Sequence, residues 1–334
     1  PQFLPYSALW VFRSGAFAQT LVAYSSPGIE FPKPPLRRCA NLPLERRLRP
    51  EKDPMTTELK KAYEDVDFLK RDELRPVRLQ LELLKPELVM EDERIESTIV
   101  LFGSARTLPP DQAREALDAA KREADRHPDS DKRRETLQAA QVDVEMSRYY
   151  QLARDFAHLV SCDCSQKEGG CEYVIATGGG GGIMEAGNRG AADAGAKSIG
   201  LNISLPFEQE PNAYITPELL FHFHYFSIRK MHFLMRAKAL CAFPGGYGTL
   251  DEIFESLALI QTHKVTPFPV ILFGREFWES LINWQQLVDQ RLICPEDIDI
   301  FHYCETAQEA WDRIREFWTS PRPHTKTKPV FRSE

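Results

Sequence analysis

No stretch of about 18 consecutive apolar residues occurs in the 334-residue chain, which excludes a membrane-spanning helix. Basic residues are not in excess. The 42 Lys and Arg stand against 49 Asp and Glu, giving a net charge of −7 and a pI near 5.7. A general nucleic-acid binder would carry a broad basic surplus, so that class is excluded and no nucleic-acid partner is expected. The seven cysteines have no regular spacing. A disulfide framework is therefore not expected, and a reducing, cytoplasmic setting fits better. No lysine stands in a recognisable pyridoxal motif. What is present is ordinary for a chain that buries a core: 43% hydrophobic and 27% charged residues, with mean hydropathy −0.39. The length suits one large domain or two average ones.

The first 54 residues differ from the rest. Arg13, Lys33, Arg37, Arg38, Arg46, Arg47 and Arg49 face only two acids, Glu30 and Glu45, before position 51. Prolines at 27, 32, 34, 35, 43 and 50 block regular structure. A targeting segment, a basic arm touching nucleic acid or a neighbouring subunit, and an extension preceding a natural start at Met55 all fit this composition. The third is the reading adopted: residues 1–54 lie outside the fold. Residues 55–95 form a helical lead, with breaks near Arg75-Pro76 and at Pro86. Residues 321–334 form a flexible tail.

From residue 96 to 320 short apolar runs alternate with amphipathic stretches. Strands are predicted at Thr98–Phe102, Tyr173–Ala176, Ser198–Ile203, Ala239–Phe243 and Pro269–Phe273. Helices are predicted at Met146–Val160, Ile183–Ala194, Ser227–Lys238, Leu250–Thr262, Glu276–Gln290 and Ala307–Trp318. Residues 111–142 read as an inserted helical hairpin, turning at His127-Pro128-Asp129-Ser130-Asp131. This alternation predicts an α/β, Rossmann-like, doubly wound and mostly parallel sheet, which binds ligands at the carboxyl ends of its strands.

Two of those ends carry glycine-rich turns. Thr177-Gly178-Gly179-Gly180-Gly181-Gly182 leads into Ile183-Met184-Glu185. Converging backbone N–H groups and a helix start suit phosphate, although a turn permitting close strand–helix packing needs glycine too. The spacing is neither that of a dinucleotide fingerprint nor that of a P-loop. The second turn is Phe243-Pro244-Gly245-Gly246-Tyr247-Gly248, followed by Thr249-Leu250-Asp251-Glu252. Thr249-x-x-Glu252 is formally a capping box. A carboxylate in a first helical turn feels the macrodipole and is expected to stay ionised, able to orient a water and poor as a general acid. From the residues alone, the structural and the functional roles of Glu252 stay open.

The run Pro244-Gly-Gly-Tyr-Gly-Thr-Leu-Asp-Glu252 resembles the P-G-G-x-G-T-x-x-E motif of the LOG (Lonely guy) family, whose members are often mislabelled lysine decarboxylases. Arg229-Lys230 stands where that family has an Arg-Lys pair. Gly178–Gly182 with Ile183-Met184 resembles its G-G-G-x-G-x-M segment, and Phe102-Gly103-Ser104-Ala105-Arg106 its first strand and loop. The lead, the insertion and the basic arm suggest a longer, second-type member. The resemblance implies hydrolysis of the N-glycosidic bond of nucleoside 5'-monophosphates, AMP or cytokinin riboside 5'-monophosphates, to free base and ribose 5-phosphate. It implies Arg229 and Glu252 as the catalytic pair. It also implies substrate binding by Ser104, Gly179, Gly180, Gly181, Met184, Glu185, Lys230, Gly245, Gly246, Tyr247, Gly248 and Thr249. No cofactor and no metal are implied, and sites at the interface of a homodimer or larger homo-oligomer are.

Arg229 is permanently cationic and cannot donate a proton, so clamping phosphate or orienting groups suits it. Asp251 is a candidate for a sugar hydroxyl. Cys162, Cys164 and Cys171 lack the paired spacing of a zinc site. His222 and His224 share one face of an extended segment, and with His232 they read as ordinary partly buried histidines. The reading from another class is a noncatalytic carrier of a nucleotide or of molybdenum cofactor on the same fold.

Overall fold

A computed structural model describes residues 60–163, 170–204 and 210–320. The expected extension 1–54, the tail 321–334 and Cys164 lie outside these residues. The described residues begin with a short helix α1 (Val66–Leu69) and the longer α2 (Arg75–Asp92). Strand β1 (Thr98–Phe102) follows, then α3 (Pro110–Arg126), α4 (Asp131–Asp163), β2 (Val174–Thr177), α5 (Ile183–Asp193), β3 (Ser198–Ile203), β4 (Leu220–Phe223), α6 (Phe226–Met235) and β5 (Ala237–Ala242). The last elements are α7 (Tyr247–Gln261), β6 (Val270–Phe273), α8 (Arg275–Leu281), α9 (Trp284–Asp289), β7 (Phe301–Cys304) and α10 (Ala307–Thr319). The seven strands among the described residues are all parallel, in the order β4-β3-β2-β1-β5-β6-β7.

The central strands are buried on both faces, which is why they read as continuous apolar runs. Their side chains alternate between two cores. Val100 and Phe102 of β1, Leu240 and Ala242 of β5, and Val270 and Leu272 of β6 pack with Phe233 of α6, Ile253 of α7 and Trp278 of α8. Ile99, Leu101, Ala239, Cys241, Ile271 and Phe273 point to the other side. There they meet Tyr150 and Phe156 of α4, Ala186 of α5 and Trp311 of α10. A one-residue register slip would send each set to the wrong core.

Four expectations need correction. The expected hairpin arm and the helix after it are a single 33-residue helix, α4. No Gly or Pro lies within Asp131–Asp163 to interrupt it. The expected helix 276–290 is two helices, because Asn283 restarts the chain as an N-cap, its side chain accepting from Gln286 N at 3.0 Å. The edge strands β4 and β7 were not predicted. Both are four residues long and carry a histidine, and β4 buries only alternate residues. The break expected at Pro86 is absent, since α2 runs through it. Proline cannot donate to the carbonyl four residues back, which is Glu82 O. That oxygen instead meets His232 Nε2 of α6 at 3.3 Å.

Helix α2 therefore docks on α6. The Glu82 carboxylate accepts from His224 N at 2.9 Å and Tyr225 N at 3.1 Å, capping a helix whose own N-cap residue makes no side-chain bond. Farther along, Glu87 Oε2 accepts from Arg236 Nη2 at 2.9 Å. The lead helix thus holds, at both ends, the helix that bears Arg229 and Lys230.

Candidate active site

The strand order reverses direction between β1 and β5, and the crevice at such a switch point is where open parallel sheets bind ligands. The turns after β1, β2 and β5 meet there. Ser104 N donates to Pro244 O at 3.1 Å and Ile183 N donates to Ser104 O at 3.1 Å, tying the three turns together. Gly182, at φ +64°, is needed where the β2 turn enters α5. A Cβ there would strike Ser104 O and Ala105 Cα.

An open cleft of about 680 Å³ is lined by Ser104, Arg106, Gly178, Met184, Asn202, Ile203, Phe226, Arg229, Gly246, Tyr247, Gly248, Thr249, Asp251 and Glu252, with Phe102, Gly103 and Ala105. The glycines do different work. A Cβ at Gly178 would lie 2.6 Å from Arg229 Nη2, so this position is bare to admit the guanidinium. A Cβ at Gly245 would collide with Thr249 Oγ1, which lets the buried Thr249 tuck beneath the turn. Gly246 and Gly248 have nothing within 4 Å of a built Cβ. No protein atom requires glycine there, and the bare backbone faces open space at the start of α7. Tyr247 between them is 93% exposed.

Helix α7 starts at Tyr247 with Gly246 as N-cap and no side-chain cap. The capping box expected at Thr249 and Glu252 is therefore not formed. Thr249 is already helical, and Glu252 sits in the second turn, beyond most of the reach of the helix dipole. It is only 7% exposed. Burial pushes its carboxyl up to about 7 from 4.5, against the pull of Lys230 and Arg229 and with the help of neighbouring Glu255 and Asp251. The expectation of a firmly ionised carboxylate is corrected: desolvation outweighs the helix start.

Arg229 lines the cleft. Its Nε donates to Leu201 O at 2.7 Å, and its guanidinium stands 5.1 Å over the Phe233 ring. Burial holds its pKa below the ordinary value, partly countered by the charge of Glu252. Lys230 points elsewhere. Its Nζ is 2.9 Å from Asp251 Oδ2, 3.6 Å from Glu252 Oε1 and 2.8 Å from Glu255 Oε2. Burial opposes its charge, but the bonds to Glu255 and Asp251 prevail and raise its pKa.

Of the residues expected at the site, Ser104, Met184, Arg229, Gly246, Tyr247, Gly248, Thr249 and Glu252 share the cleft. Gly179, Gly180, Gly181, Glu185, Lys230 and Gly245 do not line it. The carbonyls of Gly179 and Gly180 accept from Asn212 Nδ2 at 3.2 and 2.9 Å, in a buried network with Asn188 and Thr177. Glu185 accepts from the Tyr150 hydroxyl of α4 at 2.7 Å, an inter-helix bond. Lys230 serves carboxylates. Arg106, Asn202, Ile203 and Phe226 line the cleft without having been assigned there. The first three could have been found from their places at or just beyond strand carboxyl ends, whereas Phe226 offers no such signal. His222 and His224 are exposed on one side of the β4 edge, and His222 Nε2 lies 2.8 Å from Ser204 Oγ. Among the described residues, no three His, Cys, Asp or Glu side chains gather as a metal site.

A doubly wound parallel sheet with glycine-rich turns and a buried acid in the cleft at its switch point makes this a Rossmann-like protein. Residues 184–314 match the family model described as "Possible lysine decarboxylase". Two rice proteins (Oryza sativa subsp. japonica), each named a probable cytokinin riboside 5'-monophosphate phosphoribohydrolase, are similar. One is 34% identical over 94 residues, covering 27% of this chain and 43% of the relative. The other is 31% identical over 108 residues, covering 32% and 42%. The chain thus spans about two fifths of the length of these curated relatives. Through this segment the chain is similar to the LOG (Lonely guy) family. Among solved structures, the molybdenum cofactor carrier protein of Chlamydomonas reinhardtii is 17% identical with a TM-score of 0.40, covering 67% of this chain and 99% of that one. The molybdenum cofactor binding protein of Rippkaea orientalis is 20% identical with a TM-score of 0.36, covering 51% and 88%. Among the described residues, no helix is long and apolar enough to cross a membrane.

Proposed function

We propose that the protein hydrolyses the N-glycosidic bond of purine nucleoside 5'-monophosphates, AMP or cytokinin riboside 5'-monophosphates, releasing free base and ribose 5-phosphate. The observation that carries this reading is Glu252, buried beside Arg229 at the switch point, with a carboxyl poised near neutrality. A pure binding site for a phosphorylated ligand gains nothing from a carboxylate in its wall.

Breaking the C1'–N9 bond sends its electron pair to the base and leaves oxocarbenium character on the ribose, as in glycoside hydrolysis. Ionised Glu252 stabilises that cation and takes a proton from the attacking water. The water oxygen bonds to C1', and the proton removed balances the one the departing base requires. A base titrating near the working pH is well matched to this work. Arg229 does not transfer a proton. Fixed by Leu201 O and the Gly178 turn, it holds Glu252 partly ionised and orients the substrate. The bare backbone of Gly246 and Gly248 receives the phosphate at the start of α7, where N–H groups and Thr249 converge. The reading includes a homo-oligomer with the exposed Tyr247 at its interface, which sedimentation equilibrium tests.

The experiment is chromatographic detection of base after incubation with AMP, N6-isopentenyl-AMP and the matching nucleosides. Release from monophosphates but not nucleosides, abolished in Glu252→Gln, supports the assignment, and the better substrate identifies the base. Tight binding of a monophosphate without any release overturns it in favour of a carrier.

A further inference from the structure

The cleft wall carries two carboxylates, Asp251 and Glu252, which repel a dianionic phosphate. Cations must offset them, and the three near the cleft are unequally available. Lys230 is held by Asp251, Glu252 and Glu255, and it does not line the cleft. Arg229 lines it, but its Nε is spent on Leu201 O and its charge is matched by Glu252. Arg106 is different. It lines the cleft and is exposed, and its guanidinium has no hydrogen bond or ion pair among the described residues.

The backbone beneath Arg106 is nonetheless fixed. Its own N–H donates to Ser104 Oγ at 3.1 Å, and Ser104 is bonded to Pro244 on one side and Ile183 on the other. The side chain therefore springs from a hydrogen-bonded turn between the two glycine-rich turns and lines the same cleft as Gly246 and Gly248. A guanidinium presents paired N–H donors that match phosphate oxygens.

On the reading that the substrate is a nucleoside 5'-monophosphate, we propose that Arg106 is the cation that binds the 5'-phosphate and sets the preference for monophosphates over nucleosides. Lys230 stays with its carboxylates.

The test compares Arg106→Gln, Arg106→Lys and Lys230→Gln. It measures kcat and KM for AMP, kcat/KM for adenosine, and calorimetric affinity for ribose 5-phosphate at low and high salt. Losing one charge-assisted bond is worth about 1.5–3 kcal/mol, or roughly 10- to 100-fold. Arg106→Gln should raise KM for AMP by that factor with a far smaller change in kcat. Its residual kcat/KM for adenosine should stay at the wild-type level, so that selectivity collapses. Arg106→Lys should recover part of the loss, and ribose 5-phosphate binding should lose part of its salt dependence in Arg106→Gln. An unchanged KM and unchanged ribose 5-phosphate affinity in Arg106→Gln overturn the proposal, as does a KM effect confined to Lys230→Gln. If the wild type releases no base, the enzymatic reading fails by itself. Ribose 5-phosphate binding then decides Arg106: a tenfold loss in Arg106→Gln upholds it and no loss sinks it.

Discussion

In Glu252→Gln a buried carboxyl becomes a neutral amide of nearly the same volume beside Lys230 and Arg229. If Glu252 is the base, turnover should fall by about 10²–10⁴-fold with KM for AMP little changed. Wild-type kcat/KM should rise with pH through a midpoint near 7, and the profile should lose that limb in the variant. Stability should move the opposite way. The folded chain retains a proton on Glu252 that the unfolded chain releases above about 4.5, so the folded state binds more protons between pH 4.5 and 7. Stability attributable to this group is present below that window and lost as pH rises through it. The full shift corresponds to roughly 3 kcal/mol. Urea melts of the variant at pH 8 should show part of that regained, less what the amide forfeits with Lys230. Melts with wild type the more stable at pH 8 would refute the shift. The residue was legible from its motif, but its protonation was not. Sequence placed it in a first helical turn, whereas α7 starts at Tyr247 and depth, not the dipole, governs the carboxyl.

Helices α4 and α5 pack so closely that a Cβ at Gly190 would overlap Arg154 O and lie 2.9 Å from Ala157 Cβ. Alanine at a helix interior normally gains about 1 kcal/mol over glycine, but overpacking costs about 1–3 kcal/mol. The steric effect should win. Gly190→Ala is expected to lower stability by about 1 kcal/mol or more, seen as a lower urea midpoint at unchanged m. A stabilised variant would mean that the helices separate at no cost. The small residues of α5 include Ala186, Gly187, Gly190 and Ala191, and Gly190 permits that approach. The continuity of α4 was not expected, although its stretch holds no Gly or Pro. The strands β4 and β7 were not expected either, because a four-residue edge strand half-exposed to solvent carries too little apolar pattern to read.

Glu82 and the backbone it caps are 142 residues apart, so this contact belongs to the molecule as a whole. Glu82→Ala leaves the N–H groups of His224 and Tyr225 without their acceptor. It should cost about 1–3 kcal/mol and speed amide exchange across residues 224–229 relative to β1. Uniform exchange throughout the chain would show that α2 does not anchor α6. The sequence by itself determined the alternation of strands and helices and the glycine-rich turns, because each is a local pattern of side-chain period or backbone permission; the pairing of Arg229 with Glu252 came from the family resemblance alone. Only the tertiary structure decided which cations line the cleft. Lys230 follows Arg229 directly, but successive helical positions point about 100° apart, so one turns to the cleft wall and the other to a cluster of carboxylates. It also decided that Glu252 lies deep enough to titrate near neutrality and that a lead helix caps the helix of Arg229. Burial and long-range contacts arise from packing distant segments together, and no local pattern encodes them.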